Sequence, residues 1–304
     1  TEVLSKGVIN VNGEGAVGIF VQSGNTTKVA GQIIAKGESS DGIRNFGSGA
    51  SEEKPQTTNV TSTGSIVTNG SNGYGIHNKG TFNSTTVAGS ISTQGETAYG
   101  IYNSGDSNTT TISAGGTVTT TGLSSHGVFN EGNTNTTTVS GSISTQGKTA
   151  YGIYNKGKSN VTTIEAGGSI KTTGIGAIGI YNHGSGNTTN VVGSITTEGD
   201  HKKPDSDDTS TQTDGIRNTG GNTTNVSGTV TTRGHSARGI YNANGSNTTA
   251  LSGSIITGGK NARGIVNNRA NNETTITETG SIETAGTGST GIRQNTSTET
   301  LTEN

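Results

Sequence analysis

The quartet Gly100-Ile101-Tyr102-Asn103 has close relatives from one end of the 304-residue chain to the other. Gly-Ile or Gly-Val opens a unit at Gly18, Gly42, Gly75, Gly100, Gly127, Gly152, Gly179, Gly215, Gly239, Gly264 and Gly291. Nine of these eleven units place Asn three positions after the Gly. The steps between them are 24, 33, 25, 27, 25, 27, 36, 24, 25 and 27 residues. Self-similarity at such a period marks a solenoid, in which each unit buries a narrow strip against its neighbours.

Working outward, each unit carries three aliphatic anchors. The first follows the Gly, as in Ile101 and Ile153. The second closes a Thr-rich run, as in Ile112, Val139 and Ile164; the third sits in a Ser/Thr frame, as in Val118, Ile143 and Ile170. Second and third anchors are four apart (Val139, Ile143) or six apart (Ile112, Val118), and the longer version falls in all three 27-residue steps. Both spacings are even, so a two-residue insertion keeps an inward side chain inward, as period-two geometry requires. Thr137, Val139, Gly141, Ile143 and Thr145 alternate with Thr138, Ser140, Ser142 and Ser144, a β pattern rich in β-branched residues. No window carries a 3.6-residue apolar stripe, so no helix is expected. Gly and Asn clusters such as 103–108 separate the strands as turns.

These features predict an all-β, right-handed parallel β-helix over residues 1–304, a single solenoid of about eleven coils with three short strands each. At ~4.8 Å per coil the rod is about 50 Å long. The recurring Asn (Asn45, Asn78, Asn103, Asn130, Asn155, Asn182, Asn218, Asn242, Asn267) fits an internal or turn-edge ladder of amides bonding like to like. Two insertions, near 48–56 and 199–213, fall at turns and hold both prolines; each reads as a projecting loop. The coil beside each insertion reads Asp-Gly-Ile-Arg-Asn (Asp41 to Asn45, Asp214 to Asn218), a co-occurrence without an evident cause in the sequence.

Composition agrees once the repeat is recognised. At 25% hydrophobic and 4% aromatic, with 52 Gly, the chain would otherwise look disordered; aliphatic residues held in register across eleven units overrule that. Nineteen basic and 21 acidic residues give a net charge of −2 without a basic stripe, which argues against a nucleic-acid partner. The absence of Cys removes disulfides, thiolate catalysis and Cys-based zinc sites. No apolar run approaches the ~20 residues of a membrane span, so this stretch is not expected to cross a membrane. It starts without Met and inside a repeat, and so reads as a fragment of something longer.

The combination of G-I-[YF]-N, N-T-T and G-S-I-x-T motifs, uneven repeat length, short polar turns and no Cys resembles the passenger domains of bacterial autotransporters, the type V secreted surface proteins. The resemblance covers nearly the whole chain. It implies a passenger exported unfolded, anchored at the outer membrane or released, and acting as an adhesin or self-association factor. The C-terminal translocating barrel such proteins carry is not in this sequence.

Catalysis is not expected. Acids are scattered, Asp205, Asp207 and Asp208 lie together in a loop where a solvated charged turn outweighs a Ca²⁺ site, and His77, His126, His183, His201 and His235 occupy different repeat positions. No cofactor or metal is implied. The position after the first anchor is more informative: Phe20, Arg44, His77, Tyr102, Phe129, Tyr154, Tyr181, Arg217, Tyr241, Val266, Arg293. By strand parity these point outward. His77, Tyr102, Phe129, Tyr154, Tyr181 and Tyr241 are therefore expected to form an exposed aromatic ladder, either stacking for its own stability or offering contact to a glycan or protein. A Thr-x-Thr ice-binding array on the third strand is interrupted by Lys171, Ile256 and Glu283. Asn-x-Thr sequons at Asn25, Asn83, Asn108, Asn135, Asn160, Asn187, Asn222, Asn247 and Asn272 stay in register with the repeat, and a glycosylating host could decorate one edge.

The expected function is that of a surface adhesin or self-association passenger promoting adhesion, aggregation or biofilm formation through extended multivalent contacts. Its partner is another copy on a neighbouring cell, or a host surface protein or glycan. A glycan-binding or polysaccharide-active β-helix and a structural stalk are the alternatives.

Overall fold

The computed structural model describes residues 1–200 and 213–295 and the strand Leu301–Glu303. Three parallel sheets of 12, 11 and 11 strands run the length of the molecule, and each strand pairs with the one three places earlier and three places later in the chain. The second anchors line the first sheet (A), the third anchors the second sheet (B) and the first anchors the third sheet (C). One central coil, the sixth, consists of Thr136–Val139 in A, Ser142–Thr145 in B and Ile153–Asn155 in C. Among the described residues there is no helix.

Registers pair each anchor with its own kind: Ile112 with Val139, Val118 with Ile143, Val128 with Ile153. The anchors form one continuous core, nearly all below 2% exposed and loosening only at the terminal coils around Ile9, Ile276 and Ile282. The motif Gly is needed for close approach. A Cβ on Gly127 would lie 2.6 Å from the Gly152 carbonyl and 2.3 Å from the Ile143 methyl. No substitution fits there without parting the coils.

Two asparagine columns run inside the rod. In the first, each Nδ2 donates to the next Oδ1, from Asn45 through Asn103, Asn130 and Asn155 to Asn267, at 2.7–2.9 Å. The same Nδ2 atoms donate to inward threonines, Asn130 to Thr137 and Asn155 to Thr162. The first column is therefore internal rather than at a turn edge. It starts at Asn45 because Val21 stands below it, and the Asn45 Oδ1 has no donor.

Over the first eight coils the turn length between sheets A and B alternates, and the ninth and tenth keep two residues (Ser227-Gly228, Ser252-Gly253). The first, third, fifth and seventh coils use four residues (Leu4 to Gly7, Thr61 to Gly64, Ser113 to Gly116, Glu165 to Gly168). The second, fourth, sixth and eighth use two (Ala30-Gly31, Ala88-Gly89, Ser140-Gly141, Val192-Gly193). The insertion near 48–56 turns back on itself through a Ser51–Lys54 bridge and ends sooner than its composition suggests. Gln56 already belongs to the strand Gln56–Val60 and is fully buried. The second insertion lies largely outside the described residues.

Candidate functional site

All seven tyrosines of the chain lie on the outer side of sheet C. Main-chain geometry at the motif Gly puts them there. Gly100 N donates to His126 O and Ile101 N to Gly127 O, so two consecutive amides point toward the next coil. Amides of a regular strand alternate in direction, so the chain bends at the Gly and parity reverses. The residue before the Gly and the residue two after it then share the outer face. Sequence parity alone finds the second row and misses the first, which reads Asp41, Tyr74, Tyr99, His126, Tyr151, Ile178, Asp214, Arg238 and Arg263. The available signal was the repeated Tyr-Gly-Ile-Tyr at Tyr99 to Tyr102 and Tyr151 to Tyr154.

The two rows interlock. Within the first, Tyr74, Tyr99, His126 and Tyr151 stack with centroids 4.7–5.2 Å apart and planes within 10°. Within the second, His77, Tyr102, Phe129, Tyr154 and Tyr181 stack at 4.6–5.2 Å. Between rows the rings meet edge to face, for example Tyr99–Phe129 at 80° and Tyr151–Tyr154 at 86°. Coil spacing explains this herringbone. Rings in contact need planes about 3.5 Å apart, whereas coils repeat at ~4.8 Å. Each ring must therefore tilt by about 45°, and rows tilted in opposite senses cross near a right angle.

The expected exposed ladder is thus half-buried. His77, Tyr102, Tyr154 and Tyr181 are partly covered, whereas Phe129 and Tyr241 are buried, at 7% and 5% exposure. Phe129 is enclosed by Tyr99, Tyr102, His126 and Tyr154. Tyr241 stands apart from the stack, with the Arg238 guanidinium 3.3 Å from its ring centre and Arg217 between it and Tyr181. Because neighbours occupy the ring faces, the surface presents ring edges and hydroxyls. The hydroxyls of Tyr74, Tyr99, Tyr151, Tyr154 and Tyr241 have no hydrogen-bond partner among the described residues, whereas Tyr102 and Tyr181 bond Glu131 and His183.

The parity reversal also accounts for the two Asp-Gly-Ile-Arg-Asn coils. It brings Asp and Arg three residues apart onto one side, giving Arg44 Nε to Asp41 Oδ2 and Arg217 Nε to Asp214 Oδ2, each 2.6 Å. Arg238 adds a two-pronged contact to Asp214 at 2.6 and 2.9 Å. These coils bracket the aromatic block, covering its end rings with ion pairs instead of water. Burial disfavours the Arg217 charge, but Asp214 beside it outweighs this and raises its pKa.

Burial sets the protonation of the block. His126, fully buried with Nδ1 accepting the Tyr151 N–H, is pushed down to about 3 and is neutral at pH 7. Tyr74 is pushed up to about 12, and Tyr99, Tyr151 and Tyr154 are raised, chiefly by burial. Tyr102 is raised by burial and by donating its hydroxyl to Glu131. Burial works against the Glu131 charge, but hydrogen bonds from Lys156 (2.7 Å) and Tyr102 outweigh it, leaving the carboxyl below its ordinary range.

Other candidates fare differently. Among the described residues no group of His, Cys, Asp or Glu could hold a metal; Asp205, Asp207, Asp208 and His201 lie outside them. No helix among the described residues is long and apolar enough to cross a membrane. The sequons are mostly inward. Asn83 to Asn272 are at most 3% exposed and form the second internal column, each main-chain N–H donating to the next side-chain Oδ1 at 2.7–3.0 Å. The Thr two residues on accepts from the first column, as Thr137 does from Asn130. Both halves of those sequons are consumed by the fold; Asn25 alone among the nine is exposed.

No protein-family model and no curated protein matches the chain. Among solved structures, the crystal structure of a TibC-catalysed hyper-glycosylated TibA55-350 fragment is similar, at 13% identity over 99% of each chain with a TM-score of 0.22. That score corresponds to no common superposition, so the functional reading rests on this chain's own residues.

Proposed function

We propose that this solenoid is a surface-displayed adhesin passenger that works by extended, multivalent contact, with the outer face of sheet C as its contact surface. The carrying observation is the concentration of all seven tyrosines on that one face, five with hydroxyls unpaired among the described residues. A merely self-stacking ladder would be served as well by Phe. Tyrosine keeps the same ring packing and adds an outward donor, which suits an oxygen-rich partner such as a glycan or the polar surface of a protein. Since ring faces are occupied, contact is made by hydroxyls and ring edges rather than by a sugar stacking on a ring. The motif resemblance to autotransporter passengers supports display outside the cell, anchored through a barrel not contained in this sequence.

The test replaces Tyr74, Tyr99, Tyr151 and Tyr154 together by Phe. On cells displaying the chain, adhesion to host matrix or to neighbouring cells should fall at least tenfold, while the thermal midpoint of the purified variant shifts by no more than a few degrees. Unchanged adhesion by the four-Phe variant would overturn the assignment of this face. Wild-type cells that stay dispersed and bind nothing would instead indicate a stalk.

A further inference from the structure

The alternating turns between sheets A and B make one edge of the rod a row of ridges and notches over its first eight coils. Ridge residues Ser62, Thr63, Ala114, Gly115, Ala166 and Gly167 are exposed. Between the ridges of the fifth and seventh coils lies a cavity of about 190 Å³, floored by Ser140 and Gly141 and walled by Gly115, Gly116 and Gly167. Ridge follows ridge every two coils, about 9.6 Å, and notch follows notch at the same interval. Over these eight coils the edge is therefore complementary to itself when shifted by one coil.

We propose that this edge binds the same edge of a second copy running antiparallel, deepening the self-association half of the reading above. Two-fold pairing sets the first coil against the partner's eighth, the second against the seventh, the third against the sixth and the fourth against the fifth. Every four-residue turn then meets a two-residue turn, and each contact occurs twice, as an isologous interface requires. The ridge carrying Ser62 and Thr63 enters the 190 Å³ cavity.

Charge selects the same register. Lys6 on the first ridge and Glu165 on the seventh have no ion partner among the described residues of their own chain. Six coils, about 29 Å, separate them within one rod. Antiparallel pairing seats Glu165 in the partner's second-coil notch, beside the ridge that bears Lys6. Each copy's Glu165 gains the other's Lys6, which a parallel in-register pair does not provide.

Because the chain has no Cys, disulfide trapping can test the register. Ala114→Cys and Ala88→Cys chains are prepared separately, mixed and oxidised mildly. The mixed disulfide dimer should exceed either self-linked dimer at least tenfold. Equal linking of Ala114→Cys to itself would overturn the antiparallel register. Absence of cross-links, together with a monomer in sedimentation at the highest soluble concentration, would overturn the interface. Deleting Ala114 and Gly115 converts the fifth turn to the Ser-Gly form of the sixth, and Ala88→Trp fills a notch. Whichever of these folds by circular dichroism should lose the dimer, and a folded variant that keeps it counts against the proposal. The four-Phe variant should dimerise normally, so failure of the aromatic face and failure of this edge are separable.

Discussion

Asn130 shows how a polar residue can serve as core. Fully buried, it donates to Asn155 and Thr137 and accepts from Asn103. A buried amide without partners would be strongly unfavourable, whereas here each coil supplies the next coil's partner. Replacing Asn130 by Ala leaves the Asn103 donor and the Asn155 acceptor short of a bond, at about 1–3 kcal/mol per orphaned group. The expected loss, about 2–4 kcal/mol in urea unfolding, exceeds that of Asn133→Ala on the exposed turn nearby.

His126 makes a pH prediction at the same scale. Its folded pKa, lowered by burial to about 3, lies below the ordinary 6.5, so the unfolded chain binds its proton first. Stability from this residue is complete above about 6.5 and is lost as pH falls toward 3. Relative to His126→Phe, the wild type should lose up to about 1.4 kcal/mol per pH unit within that window. A stability difference that stays constant between pH 7 and pH 5 would contradict the buried neutral imidazole. The Tyr151 N–H bond lost in the Phe variant contributes only a pH-independent offset.

At the scale of the element, the Asn-x-Thr strand entry has a structural purpose. Asn135 and Thr137 both face inward, one bonding the preceding coil's main chain and the other the first asparagine column. A sugar on Asn135 has no room within the folded rod. Folded chain treated with an N-glycosylating transferase should gain sugar at Asn25 and at exposed sequons outside the register, such as Asn69 and Asn225, but at none from Asn83 to Asn272 in the inward column. Unfolded chain modified at several inward sequons should fail to refold. Mapping sugars to Asn108 or Asn135 on chain that retains its β circular dichroism would refute the inward assignment.

Turn length is the other lesson of the element. Strands here accept two-residue insertions because an even change returns every side chain to its own face. One Ala inserted after Gly115 should therefore destabilise the fifth coil more than removal of Ala114 and Gly115 together, as read by urea midpoints. The bend at the motif Gly is the exception, and from that exception both the second aromatic row and the Asp41–Arg44 pair arise.

For the molecule as a whole, contacts run almost entirely between adjacent coils, so stability is a sum of local units and interfaces. Ile143 is fully buried at mid-rod, whereas Ile9 and Ile282 near the ends are only partly so. Hydrogen exchange should accordingly show protection highest around the fourth to eighth coils and falling toward both ends. Ile143→Ala, at about 2–5 kcal/mol, should loosen mid-rod amides before those two or more coils away. Uniform protection from end to end would instead indicate a single cooperative unit.

Period and parity were enough to determine the solenoid and its three aliphatic columns, because each depends on interactions repeated identically at every coil. The structure decided that the recurring asparagines lie inside the rod and not at a turn edge. Which outward residues meet was decided only by the tertiary structure. The bend at each Gly reverses parity locally, so Tyr99 joins Tyr102 on one face although alternation would part them. The buried sequons and the one-coil offset of ridge and notch likewise depend on where neighbouring coils lie. Linear spacing specifies the step along the rod; contact between coils specifies what the surface can hold.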